Sequence, residues 1–253
     1  MVRIYTPAMQ ASGNFDGGKI TEQKPIGFPG EGSVIKRVGP LFYWAWFASA
    51  KEGYIAPHPH SGFEIMTYVT QGKAEHEDSL GTKSIVGPGG AQVMQTGSGV
   101  SHSERIIGPE AEGFQIWFEP DLSKSTKLAP TYNEYQHEQF PQEERDGVTV
   151  KTVLGGPSPI KLQVPAHMWD VTLQKESRYT HRIQKGHTLS ALAIRGGGRW
   201  EAGGKEYVFQ PKDFSVIPVD QETEVAIAAG EEAVRILLIE VPSSPDYALY
   251  PKR

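Results

Sequence analysis

Turn residues punctuate this chain too often to leave room for long helices. There are 28 glycines and 19 prolines in 253 residues, nearly a fifth of the chain against roughly 12% in an average protein. They recur as Gly-Pro, Pro-Gly and Gly-Gly pairs along the whole sequence. Between them lie short apolar runs rich in β-branched and aromatic residues. The runs cover 33–38, 41–48, 63–70, 73–79, 91–95, 101–107 and 113–119, and after a gap 148–154, 167–174, 189–195, 206–209, 214–217, 222–228 and 233–240. Many short strands at this spacing predict an all-β sandwich or barrel.

The gap, 120–146, is polar and reads as a connection between two β domains, with helical turns at most in 121–128 and 132–140. An internal repeat supports two units. The segment 81–94 can be laid over 203–217, and one inserted residue brings Pro88 onto Pro211 and Val93 onto Val216. Both copies spell strand, turn, strand, which predicts duplication. The expected division is 1–130 and 131–253.

Several functions are excluded early. The chain has no cysteine, which removes disulfides, thiolate metal sites and thiol catalysis. Its net charge is −5 and it has no long basic run, so direct nucleic-acid binding is not expected. No apolar stretch approaches the length of a spanning helix, and Met1–Gly18 has no signal-like apolar segment. A cytoplasmic protein that does not engage membranes is therefore expected. Neither a phosphate-binding glycine loop nor a serine nucleophile elbow occurs.

The chemistry concentrates in two short patterns. In His58-Pro59-His60, residues i and i+2 of a strand point the same way, so both imidazoles face one side. His102-Ser103-Glu104 repeats the arrangement. Two such strands facing one interior supply three imidazoles and one carboxylate, a set that suits Fe(II), Mn(II), Ni(II), Cu(II) or Zn(II). On a continuous strand Glu64 would share the face of His58 and His60. It is then a fourth ligand, an acceptor that fixes an imidazole tautomer, or a base; Glu104 is preferred as the ligand. His76 is a weaker candidate for support behind the ligands. His137, His167, His181 and His187 read as structural or surface residues.

The segments His58-Pro59-His60-Ser61-Gly62-Phe63-Glu64, Thr67-Tyr68-Val69, Glu75-His76, Asp78-Ser79-Leu80-Gly81 and Gly97-Ser98-Gly99-Val100-Ser101-His102-Ser103-Glu104 resemble the paired motifs of the pirin family, and Gln115-Ile116-Trp117 and Pro130-Thr131-Tyr132 agree more loosely. The resemblance implies a bicupin, two cupin-type β-barrels side by side. It implies one metal, usually iron, in the N-terminal barrel, held by His58, His60, His102 and Glu104, with Glu64 behind them. It also implies either quercetin 2,3-dioxygenase-like cleavage of a flavonol or related enol, or regulation through a protein partner. For the enzyme, the substrates are a small aromatic molecule and dioxygen, and Glu104 or Glu64 takes the hydroxyl proton. Ser61 departs from the Arg or Lys common there in the family. The second half has no His-x-His in the repeated frame, so its barrel is expected to carry no metal ligands.

Overall fold

A computed structural model describes residues 1–251. Its strands gather into two compact units, each a β-barrel of antiparallel strands. Among the described residues the only α-helical turn is Leu122–Ser125, capped by the Asp121 carboxylate, which accepts from Ser123 N. No helix among them is long and apolar enough to cross a membrane.

The first unit comprises 10–139, 162–164 and the tail from Tyr247. Its sheet runs Thr131–Tyr135, Ala91–Gln95, Glu64–Asp78, Val100–Phe118, Leu41–Ser49, Ile20–Ile26, Ala11–Phe15, with Glu52–His60 added beside Val100–Phe118 and Lys83–Val86 beside Glu64–Asp78. Two strands are long, Glu64–Asp78 with 15 residues and Val100–Phe118 with 19. Each serves both walls of the barrel by bending. In the first the bend falls at Gln71 and Gly72, with register slips on either side of Gln71 and Gly72 at φ +71°. A Cβ at Gly72 would lie 2.6 Å from Ala111 Cβ and from Ile107 O. Only glycine fits this corner.

The second unit comprises 1–9, 140–161 and 165–246. A seven-stranded sheet runs Arg3–Tyr5, Phe214–Pro218, His187–Arg195, Val234–Pro242, His167–Leu173, Val148–Leu154, Gln142–Arg145. It faces a four-stranded one, Arg178–Ile183, Thr223–Ala229, Gly198–Ala202, Lys205–Phe209. Alternate residues of both sheets, among them Val171, Leu189, Trp200, Ile227 and Leu238, fill the interior and are fully buried. The repeat seen in the sequence is structural: Lys83–Val86 with Ala91–Gln95, and Lys205–Phe209 with Phe214–Pro218, are each strand, turn, strand.

Compared with a cut at 130/131, the units exchange their ends. Arg3–Tyr5 pairs with Phe214–Pro218, and Thr131–Tyr135 pairs with Ala91–Gln95. The gap expected to be strand-poor thus holds Thr131–Tyr135 and Gln142–Arg145. Residues 33–38 form no strand, only bridges at Ile35 and Val38. Sequence reading also passed over Ile20–Ile26 because it looks polar. Its Glu22 and Lys24 are nonetheless buried, as an ion pair at 3.2 Å with Glu31 2.6 Å from the ammonium.

Candidate metal centre

The two histidine patterns meet because Glu52–His60 and Val100–Phe118 are antiparallel neighbours with His58 directly opposite His102. The three rings close a triangle with centroids 4.7 Å apart for His58–His60, 4.5 Å for His58–His102 and 5.0 Å for His60–His102. One nitrogen from each lies within 4.8 Å of the others. The His58 Nδ1 is 2.8 Å from Ala56 O, which makes it the donor and leaves Nε2 as a lone pair. The Nε2 atoms of His60 and His102 are buried with no hydrogen-bond partner. Buried polar atoms are seldom left so; a metal ion among the three accounts for both, and three imidazoles fit one.

Burial, then repulsion from the neighbouring imidazoles, pushes His60 and His102 down to about 3. Both are therefore neutral at ordinary pH, the form that ligates.

Glu104 does not join the triangle. It is buried, and Gln115 Nε2 donates to its two oxygens at 3.0 and 3.1 Å. Thr67 Oγ1 donates at 3.4 Å. Trp117 Nε1 donates to Gln115 Oε1 at 3.0 Å, which fixes which end of the amide faces Glu104. The rings of Trp117 and His60 also pack nearly perpendicular to each other, 4.8 Å between centroids. Glu104 thus stands beside the imidazoles, close enough for its charge to favour the protonated form of His60.

Glu64 lies elsewhere. The strand ends at His60 and a new one starts at Glu64, across a turn with Gly62 at φ +86°, so the period-two argument from His60 does not carry over. Thr67 faces Glu104, and Glu64, three residues earlier, emerges on the opposite face. Its carboxylate accepts from Gln163 N at 2.7 Å, Val164 N at 3.0 Å and Gln95 Nε2 at 2.6 Å. Burial raises its pKa, though these donors oppose the shift. It anchors the 162–164 segment and is not among the three clustered imidazoles.

His76 is brought in. It lies on Glu64–Asp78, opposite Glu104 in register, and its Nδ1 is 3.3 Å from His102 Nδ1. Its Nε2 is 2.9 Å from Asp78 Oδ2. Burial alone would raise the Asp78 carboxyl; the contacts from His76, Thr82 N and Leu80 N outweigh it and hold the group below its ordinary value. Sequence reading assigned Thr67, Asp78, Gln115 and Trp117 no role. Three of them carry the same signal as the histidines, an i, i+2 polar pair on one strand: Asp78 with His76, and Gln115 with Trp117.

A shallow cleft of about 500 Å³ beside His60 is lined by Pro59, Ser61, Ser79, Gly99, Val100 and Ser101, and by neither His58 nor His102. In the second unit, His181 Nε2 and His187 Nδ1 lie 3.1 and 2.9 Å from the two oxygens of Glu240.

The pirin family model matches residues 45–118, which hold all three histidines. Pirin-like protein 2 of Arabidopsis thaliana is 30% identical over 82% of this chain and 66% of its own length. A pirin-like protein of Solanum lycopersicum is 31% identical over 78% of this chain and 67% of its own. The chain thus spans about two thirds of these relatives. Among solved structures, a bacterial pirin of Escherichia coli in complex with nickel(II) superposes with a TM-score of 0.77 at 22% identity, covering 96% of this chain and 99% of that one. A quercetin 2,3-dioxygenase of Acinetobacter baumannii does so with 0.79 at 18%, covering 99% and 89%. At these identities the structures speak for a shared fold, two cupin barrels.

Proposed function

This chain belongs to the pirin family, and on that premise we propose that it is a metal-dependent dioxygenase, cleaving a flavonol such as quercetin, or a related enol, in the manner of quercetin 2,3-dioxygenase. His58, His60 and His102 would hold one divalent ion, Fe(II) in the first instance. Bound there, the ion would supply a Lewis acid and a template for the substrate's enolic hydroxyl. Overall, flavonol and dioxygen become a ring-opened ester and carbon monoxide.

The protein's own part is positional and acid–base. Glu104 would take the hydroxyl proton of the substrate, since a carboxylate is an acceptor and this one stands next to the imidazoles. Gln115, held by Trp117, keeps it aimed. Glu104 can also serve as a fourth ligand through a lone pair that the Gln115 hydrogen bonds leave free. The observation that carries the metal site is the pair of buried, unpartnered Nε2 atoms on His60 and His102; the likeness in fold to a quercetin 2,3-dioxygenase supports the reaction.

A second reading has its own support. The mouth of the cleft is exposed at Pro59, Ser61, Ser79 and Gly99, as suits a regulatory protein that presents its iron to a protein partner.

Oxygen uptake with quercetin, after anaerobic loading with Fe(II), separates them. Uptake that disappears in His102→Ala, and that falls in Glu104→Gln with the metal retained, supports the enzyme. Stoichiometric iron without uptake on quercetin or other enols overturns it in favour of the regulator.

A further inference from the structure

We propose that Asp78 and His76 form a hydrogen-bonded relay that locks His102 in its ligating tautomer, so that both are positioning residues of the metal centre. The inference rests on the reading that His102 Nε2 is a ligand.

The relay follows from counting protons. Asp78 Oδ1 is occupied by the backbone N–H groups of Leu80 and Thr82, at 2.9 and 3.0 Å. Asp78 Oδ2 is left for His76 Nε2, at 2.9 Å. A carboxylate only accepts, so His76 carries its proton on Nε2. Its Nδ1 is then a lone pair and accepts from His102 Nδ1, 3.3 Å away. With Nδ1 as the donor, His102 presents Nε2 as a lone pair to the triangle, which is where that atom lacks a partner. Each contact has one proton.

The relay is built in. His76 and His102 are 1% and 2% exposed, so water does not compete for their nitrogens. Tyr132 stacks on the His76 ring at 4.1 Å and 17°, and its hydroxyl is held by Gln92 Oε1 at 3.0 Å and by Ser84. The ring is thereby fixed in the plane that points its two nitrogens at Asp78 and His102. Orienting partners of this kind typically matter about 10–100-fold in metal affinity.

Asp78→Asn gives a directional test, because it changes protons and not shape. The backbone donors keep the amide oxygen at the Oδ1 position, which places the NH₂ against His76 Nε2. His76 must then accept there and donate from Nδ1, and His102 must carry its proton on Nε2. Two measurements read this: the side-chain ¹H–¹⁵N correlations of the metal-free protein, and calorimetric titration with nickel(II). The expected result is His102 protonated on Nδ1 in the wild type and on Nε2 in Asp78→Asn, with nickel affinity lower by about 10–100-fold. His76→Gln, whose amide oxygen still accepts from His102, should stay near wild type, and His76→Leu should weaken binding like Asp78→Asn. Backbone spectra identify any variant that has lost its fold. An unchanged tautomer and affinity in Asp78→Asn, or equal losses in His76→Gln and His76→Leu, overturns the relay. Correct tautomers in a wild type that binds no nickel support the relay and overturn the metal reading.

Discussion

The Gln115 amide faces both oxygens of Glu104, at 3.0 and 3.1 Å. Glu104 is only 3% exposed, so water cannot replace that donor. Gln115→Leu leaves a buried carboxylate with only the longer Thr67 contact. The expected loss of stability is about 1–3 kcal/mol, read by urea unfolding of the metal-free protein. Unchanged stability would show that the amide contributes nothing to holding the carboxylate.

Metal should stabilise the folded chain only while the triangle is complete. Because the unfolded chain offers no preformed site, nickel(II) at about a hundred times its Kd should add about 2.7 kcal/mol. The gain should vanish in His60→Ala and in His102→Ala. A shift of the same size in either variant would place the ion elsewhere on the molecule. Thermal unfolding with and without nickel makes the comparison.

Glu64 should separate from the centre. Its partners are Gln163 N, Val164 N and Gln95, none of them on the imidazoles. Glu64→Leu leaves buried donors unpaired, at a cost of about 1–3 kcal/mol, while metal content by elemental analysis stays at the wild-type level. Loss of metal at unchanged stability would return Glu64 to the site.

How far the sequence reached follows from the same residues. The His58/His60 and His102/Glu104 pairs were legible because strand alternation is local and each pair lies within one strand. Glu64 was misplaced by the same rule, applied across the Ser61–Gly62 turn. How the Glu104 carboxylate is held depends on Gln115, 11 residues further along the strand, and no local rule joins them. The all-β character was legible from turn residues, but the number of strands, 14 expected runs against 20 strands among the described residues, and the ends of the units were not. Arg3–Tyr5 finds its partner more than 200 residues away, at Phe214–Pro218. The strand Ile20–Ile26 was hidden because its buried residues include an ion pair in place of apolar side chains.

In the second unit Glu240 provides a pH-dependent test. Burial alone would raise its carboxyl, but the His181 contact, the Gln184 N–H at 3.0 Å and the charges of His181 and His187 outweigh it, and the group lies below its ordinary 4.5. His167 also stands near enough to feel its charge, and Tyr179 Oη is 3.3 Å from His181 Nδ1. The folded chain therefore takes up this proton less readily than the unfolded chain. The stability that follows is fully present above pH 4.5 and is lost as the pH falls through the lower folded value. Glu240→Gln removes the ionised form, so the wild type should exceed it most near pH 7 and the gap should narrow in acid. Urea unfolding followed by tryptophan fluorescence suits the measurement, since Trp169 packs on His181 with 4.7 Å between centroids. A gap that is constant between about pH 3 and about pH 7 would mean that the Glu240 charge adds nothing to stability.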